Sequence, residues 1–127
     1  MSEHSTALPP TLPFMFPAID TERLLESCMG HTVFATSLLH EFANTADDYL
    51  SEFESRAGRG DRQAVYESAH SLRGVAGIIG ATALHEISID LEIACQTPDA
   101  ELDSVLLSIY SEIQHVRQTI QHACARF

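Results

Sequence analysis

The chain has 127 residues, 45% of them hydrophobic, which is enough for one domain around a single core and too little for two. A formal net charge of −11 with only seven Lys and Arg argues against nucleic acid or an anionic membrane surface as a partner, because both require clustered positive charge. Three cysteines, Cys28, Cys95 and Cys124, show no paired spacing and fit reduced thiols better than a disulfide framework.

Pro9, Pro10, Pro13 and Pro17 break residues 1–18 so often that the apolar run Leu12-Pro13-Phe14-Met15-Phe16 cannot form a signal-peptide core or a spanning helix. This stretch reads as a flexible tail or an interdomain linker, with the folded domain expected over 19–127. No apolar run approaches the roughly 20 residues that a membrane helix needs. A cytoplasmic location is expected, with the cytoplasmic end of a membrane-anchored sensor as the other possibility.

Order is predicted to begin at Ile19-Asp20, where Asp20 caps a short helix and Ile19 staples onto Leu24 inside it. That helix should stop at Gly30. A long helix follows from Thr32 to Arg56, with Phe34, Leu38, Phe42, Thr45, Tyr49 and Phe53 on its buried face, ended by Gly58 and Gly60. Asp61 then caps a helix that runs to Ile79 before Gly80 supplies a permissive turn. The next helix, capped by Thr82, carries Leu84, Ile87, Leu91 and Ala94 at core spacing and ends near Gln96. Thr97 as cap and Pro98 as first helical residue should start the last helix, with Leu102, Leu106, Ile109, Ile113, Val116 and Ile120 as its stripe. Nothing reads as a strand. Four helices of about 15–25 residues with short connections imply an all-α, antiparallel, up-down-up-down bundle with the short first helix laid across one end.

The helix after Asp61 is the unusual one. Val65, Ala69, Leu72, Ala76 and Ile79 form its apolar stripe, and at about 100° per residue His70, Gly74 and Gly77 fall roughly 120–180° away from it. An interior helical glycine costs about 1 kcal/mol relative to alanine, so two on the outward face need a reason. One is access: without side chains beside His70, another surface can reach the imidazole, and Arg73 lies close by as a fixed positive charge suited to a phosphoryl group. The other is that the glycines admit a neighbouring helix and His70 is an ordinary surface histidine. Helical geometry leaves both open.

His70, Arg73, Gly74 and Gly80 meet, at the right spacing, the pattern of the histidine-containing phosphotransfer (HPt) domains of phosphorelays, which this chain resembles from Ile19 onward. The Ile-Asp start, the Gly-Asp before the motif helix and Leu91-Glu92 after it extend the resemblance. Arg73 stands where Lys is commoner, and Val75 and Ile78 where small or amide residues are frequent. The resemblance implies that His70 accepts a phosphoryl group on Nε2 from a receiver-domain aspartate and passes it to the aspartate of another receiver. It implies no autonomous kinase activity, no cofactor, a divalent metal in the partner receiver only, and a monomer. Arg73 would lessen the charge on the phosphohistidine. Glu92 occupies a position from which HPt domains often face the histidine with Gln or Glu, holding Nδ1 directly or through water; the alternative is a solvated acidic residue. Gly74, Gly77 and Ile78 would then provide docking access and an apolar contact.

A rival of another class is a metal-binding bundle of the di-iron type. Glu67-x-x-His70 and Glu112-x-x-His115, with Glu41 and Glu92 from other helices, supply the inventory of such a site. All six side chains would have to point inward, whereas His70 and His115 each lie roughly 130–140° from their buried stripes. His4, His31, His40, His85 and His122 show no ligand spacing that supports a site. A helical adaptor without phosphotransfer is the third possibility.

Overall fold

Local backbone devices set several helix boundaries in this chain, and they determine how the helices return on one another. The computed structural model describes residues 18–124, with the side chain of Cys124 excepted, so the proline-rich stretch proposed as a tail lies outside the described residues up to Pro17. Five helices follow: α1 (Thr21–Ser27), α2 (Thr32–Gly58), α3 (Arg62–Ile79), α4 (Thr82–Gln96) and α5 (Asp103–Cys124). There is no strand among the described residues. The helices α2 to α5 form a closed ring of neighbours, α2 on α3, α3 on α4, α4 on α5 and α5 back on α2, while α1 lies against α3 and α2. This is the expected all-α bundle.

Asp20 caps α1 by accepting from the amides of Glu22 and Arg23, and Asp61 caps α3 by accepting from Ala64. At the other end of α3 Gly80 adopts φ +78°, and the Gly80 and Ala81 amides donate back to Gly77 and Ala76. That pair of bonds is the Schellman closure, which satisfies the last carbonyls of a helix. It lets α4 begin two residues after α3 ends. The Asp20 amide donates to the Gly80 carbonyl at 2.6 Å, so the start of α1 is fastened to the end of α3. Ala18 and Ile19 are both buried in the core.

Three sequence expectations need correction. On α2 the buried residues are Ala35, Leu39, Phe42, Ala46 and Phe53, whereas Phe34 is 54% exposed and Leu38 and Tyr49 are half-buried. The stripe is rotated by about one residue because close helix approach selects small side chains at 35 and 46 over the larger apolar ones beside them. Thr82 is the first residue of α4 and not its cap; Ala81 takes the cap position without a side-chain bond, since the two-residue turn leaves no room for another residue. The last helix starts at Asp103, not at Pro98. Residues 97–102 stay irregular because the Arg62 guanidinium draws four carbonyls to itself, donating to Ala94, Cys95, Thr97 and Ala100 at 2.7–3.4 Å. The Ala94 and Cys95 carbonyls so held are among the last of α4, and those of Thr97 and Ala100, turned to the same cation, are withdrawn from a new helical ladder.

The core stripe of α3, Val65, Ala69, Leu72, Ala76 and Ile79, is buried as expected, and Leu106, Ile109, Ile113, Val116 and Ile120 of α5 face it across the bundle. A Cβ on Gly80 would collide with the Asp20 carbonyl, and its φ is one that L-residues adopt at a penalty of roughly 1–2 kcal/mol. Gly80→Ala should therefore lower unfolding stability by about 2–4 kcal/mol. Urea denaturation followed by circular dichroism checks this, and a change under about 0.5 kcal/mol would show that the junction relaxes freely.

Candidate functional site

With its apolar stripe committed to the core, α3 turns His70 outward, and the imidazole side chain is 57% exposed. It is not free to rotate. Glu92 on α4 reaches across with Oε2 at 2.9 Å from His70 Nδ1 and Oε1 at 2.8 Å from Arg73 Nη1. Both partners lie on α3, three residues apart, so they project from the same side of one helical turn. The Glu92 side chain is only 8% exposed, and a carboxylate in that position needs donors on its oxygens to offset the loss of water. Arg73 and His70 supply them.

This arrangement fixes the protonation geometry of the ring. With Oε1 paired to the Arg73 guanidinium, Glu92 is a carboxylate whose second oxygen, Oε2, can only accept, so the hydrogen in the His70–Glu92 bond sits on Nδ1. In the neutral ring Nε2 then carries the lone pair. The Tyr66 ring, one turn back on α3, lies nearly parallel to the imidazole at 19° with centroids 6.1 Å apart and limits its swing on that side. Sequence reading missed Tyr66, although its i, i+4 spacing from His70 is the signal that finds it.

Gly74 stands one turn beyond His70 with nothing within 4 Å of where a Cβ would lie, so the surface there is open as the access argument requires. Gly77 is different. The His85 ring from α4 lies over it, 3.4 Å from an added Cβ, so this position is covered from within the chain and not left open as Gly74 is. Ile78 is 50% exposed and lines a groove of about 270 Å³ with Leu38, Phe42, Tyr49, Val75 and Ile79, between α2 and α3. Burial pushes the Tyr49 phenol above its ordinary range, a hydrogen bond with Ser71 opposing and Glu52 adding to the shift. Tyr49 therefore presents a neutral ring to that groove.

The residues of the proposed di-iron set do not converge. Glu41 and Glu67 are exposed, Glu112 pairs at 3.6 Å with His115 on its own helix, and Glu92 is taken by Arg73 and His70. Among the described residues no group of three or more His, Cys, Asp or Glu is placed to hold a metal ion.

Comparison with known proteins identifies the family and the fold. The family model for the Hpt domain matches residues 37–126. The HPT domain of an Hpt sensor hybrid histidine kinase from Shewanella shares the fold, with a TM-score of 0.78 at 16% identity, covering 87% of this chain and 96% of that one. No curated protein sequence matches significantly.

The tautomer is directly measurable. In ¹⁵N-edited long-range spectra at a pH where the ring is neutral, His70 should appear as the Nδ1–H form, and Glu92→Leu should convert it to a mixture of both forms. A wild-type ring already in the mixed state would contradict the assigned bond.

Proposed function

The chain belongs to the Hpt domain family, and on that premise we propose that His70 is the residue on which it carries the phosphoryl group. Histidine phosphotransfer within a two-component phosphorelay is the function of the family and of this chain. The observation that carries the choice of residue is the bond from His70 Nδ1 to a buried carboxylate, which leaves Nε2 on an exposed ring beside an open glycine.

In the proposed step Nε2 attacks the phosphorus of a receiver's aspartyl phosphate in line with the leaving oxygen. The P–N bond forms as the P–O bond breaks, and the aspartate departs as a carboxylate; transfer onward reverses the sequence on a second receiver. Such transfer depends mainly on positioning and charge stabilisation. The divalent ion belongs to the receiver. On this side Glu92 orients the ring, and Arg73 offers its remaining N–H groups to phosphoryl oxygens while Nη1 stays on Glu92. Gly74 allows the receiver's backbone to approach, and Ile78 contributes an apolar contact from the rim of the neighbouring groove.

Membership of a phosphotransfer family supports reading the chain as a relay intermediate and not as a kinase. The net charge of −11 supports a protein partner over nucleic acid. The partners in this reading are receiver domains, and the protein acts as a monomer on the cytoplasmic side. No helix among the described residues is long and apolar enough to cross a membrane.

His70→Gln should fold normally and accept no phosphoryl group from a phosphorylated receiver; acid-labile, base-stable label persisting on the variant would remove His70 from the role. Gly74→Leu should raise stability by up to about 0.8 kcal/mol through helix propensity while slowing transfer by at least about tenfold through obstruction. Thermal unfolding and transfer rate measured on the same sample separate the two effects, and undiminished transfer would refute the access role.

A further inference from the structure

His85 lies outside the motif, showed no ligand spacing in the sequence, and has no part in the step described above. Its place in the fold is nonetheless specific. Nδ1 of His85 is 3.0 Å from the backbone carbonyl of Arg73, and a carbonyl can only accept, so Nδ1 carries the hydrogen and donates it. The ring lies over Gly77, 3.4 Å from where a Cβ would stand. Arg73 O is the carbonyl that the Gly77 amide reaches in the helix ladder, so His85 engages one turn of α3 at two points, by contact and by hydrogen bond.

His85 and Glu92 are seven residues apart on α4, two turns less about 20°, and so project from the same face. One grips α3 at Arg73 O and Gly77, the other at the His70 ring and the Arg73 guanidinium. Arg73 is held at both ends, its carbonyl by His85 and its side chain by Glu92. A Cβ at 77 would already stand in van der Waals contact with the ring at 3.4 Å, so a side chain longer than alanine there would press on the first grip. We propose that His85 is a positioning residue for phosphotransfer: by locking α4 against α3 at Arg73 and Gly77 it sets the register from which Glu92 holds the His70 ring in the Nδ1–H form. The proposal rests on His70 being the acceptor, but its first readout is the His70 ring itself and does not require transfer.

The test compares His85→Phe, which keeps a ring over Gly77 and loses the donor, with His85→Asn, which returns an N–H donor near the place of Nδ1. In His85→Phe the His70 signals should shift from the Nδ1–H form to a mixture, and transfer at saturating receiver should fall about tenfold, in keeping with the sensitivity of transfer to small misplacements. The receiver concentration giving half-maximal rate should stay within about twofold, because the docking face is untouched. His85→Asn should restore both the tautomer and most of the rate. The double variant His85→Phe with Glu92→Ala should be no slower than Glu92→Ala alone, since His85 acts through Glu92. A folded His85→Phe with an unchanged His70 tautomer and rate, or losses that multiply in the double variant, would overturn the proposal. If His85→Phe does not fold, His85→Ala with the same readouts decides. Persistent label on His70→Gln would instead defeat the acceptor assignment and leave the tautomer result standing.

Discussion

The buried Glu92 carboxylate constrains the site more than any other group, because an ionised side chain at 8% exposure is tolerated only where its oxygens are matched by donors. Both donors come from one turn of α3, so the bond to His70 and the bond to Arg73 cannot form unless α3 and α4 sit in a single register. Slippage of α4 by one residue would carry the carboxylate about 1.5 Å along the axis and 100° around it. Hydrophobic packing alone tolerates modest sliding; two directional bonds to one carboxylate do not. The two-residue turn at Gly80 acts on the same pair of helices from their shared end, so the site is fixed by a short covalent link and by a polar clamp two to three turns away.

The remaining parts serve the outward face of α3. Its inner face is spent on Val65, Ala69, Leu72, Ala76 and Ile79, all but fully buried, which leaves the helix no freedom to roll and keeps His70 at the surface. Arg56, reaching from α2 to Ser68 Oγ and the Ala64 carbonyl, holds the opposite edge of the same helix. Ser68 in turn donates to Glu52. A helix gripped on both edges presents a rigid surface, and rigidity is what in-line transfer from a docked partner requires, since small displacements at the reacting atoms reduce rate steeply.

How much of this could be read from the sequence depends on whether the determining force was local. The caps at Asp20 and Asp61 and the turn at Gly80 are short-range backbone chemistry and were legible, as was the α3 stripe, where apolar residues recur at a clear helical period. The face of α2 was misjudged because side-chain size was weighed above the small residues that let helices approach. The start of α5 was misplaced because its cause is Arg62, more than thirty residues earlier in the chain, and a capping signal at Thr97-Pro98 carries no information about it. For Glu92 periodicity allowed only an acidic residue on a neighbouring helix; the resemblance named its position, and the fold supplied its partners. His85 contacts backbone and Tyr66 stacks on a ring, so neither forms a residue pair that charge or hydropathy flags, and only the i, i+4 spacing of Tyr66 from His70 points to one of them.

The identity of the residue at 92 also has a chemical consequence. A glutamine there could present either its carbonyl or its amide group to the imidazole, and so could stabilise either ring tautomer by rotating through half a turn. A carboxylate has no such choice. Once Arg73 occupies one oxygen, the other can only accept, and the proton on a neutral His70 is confined to Nδ1. The nitrogen left unprotonated is then Nε2, on the side of the ring away from its bond to Glu92. Ring orientation thus follows from a charge buried between two helices, and under the role proposed for His70 the same bond leaves the Nε2 lone pair to meet a phosphoryl group arriving from outside.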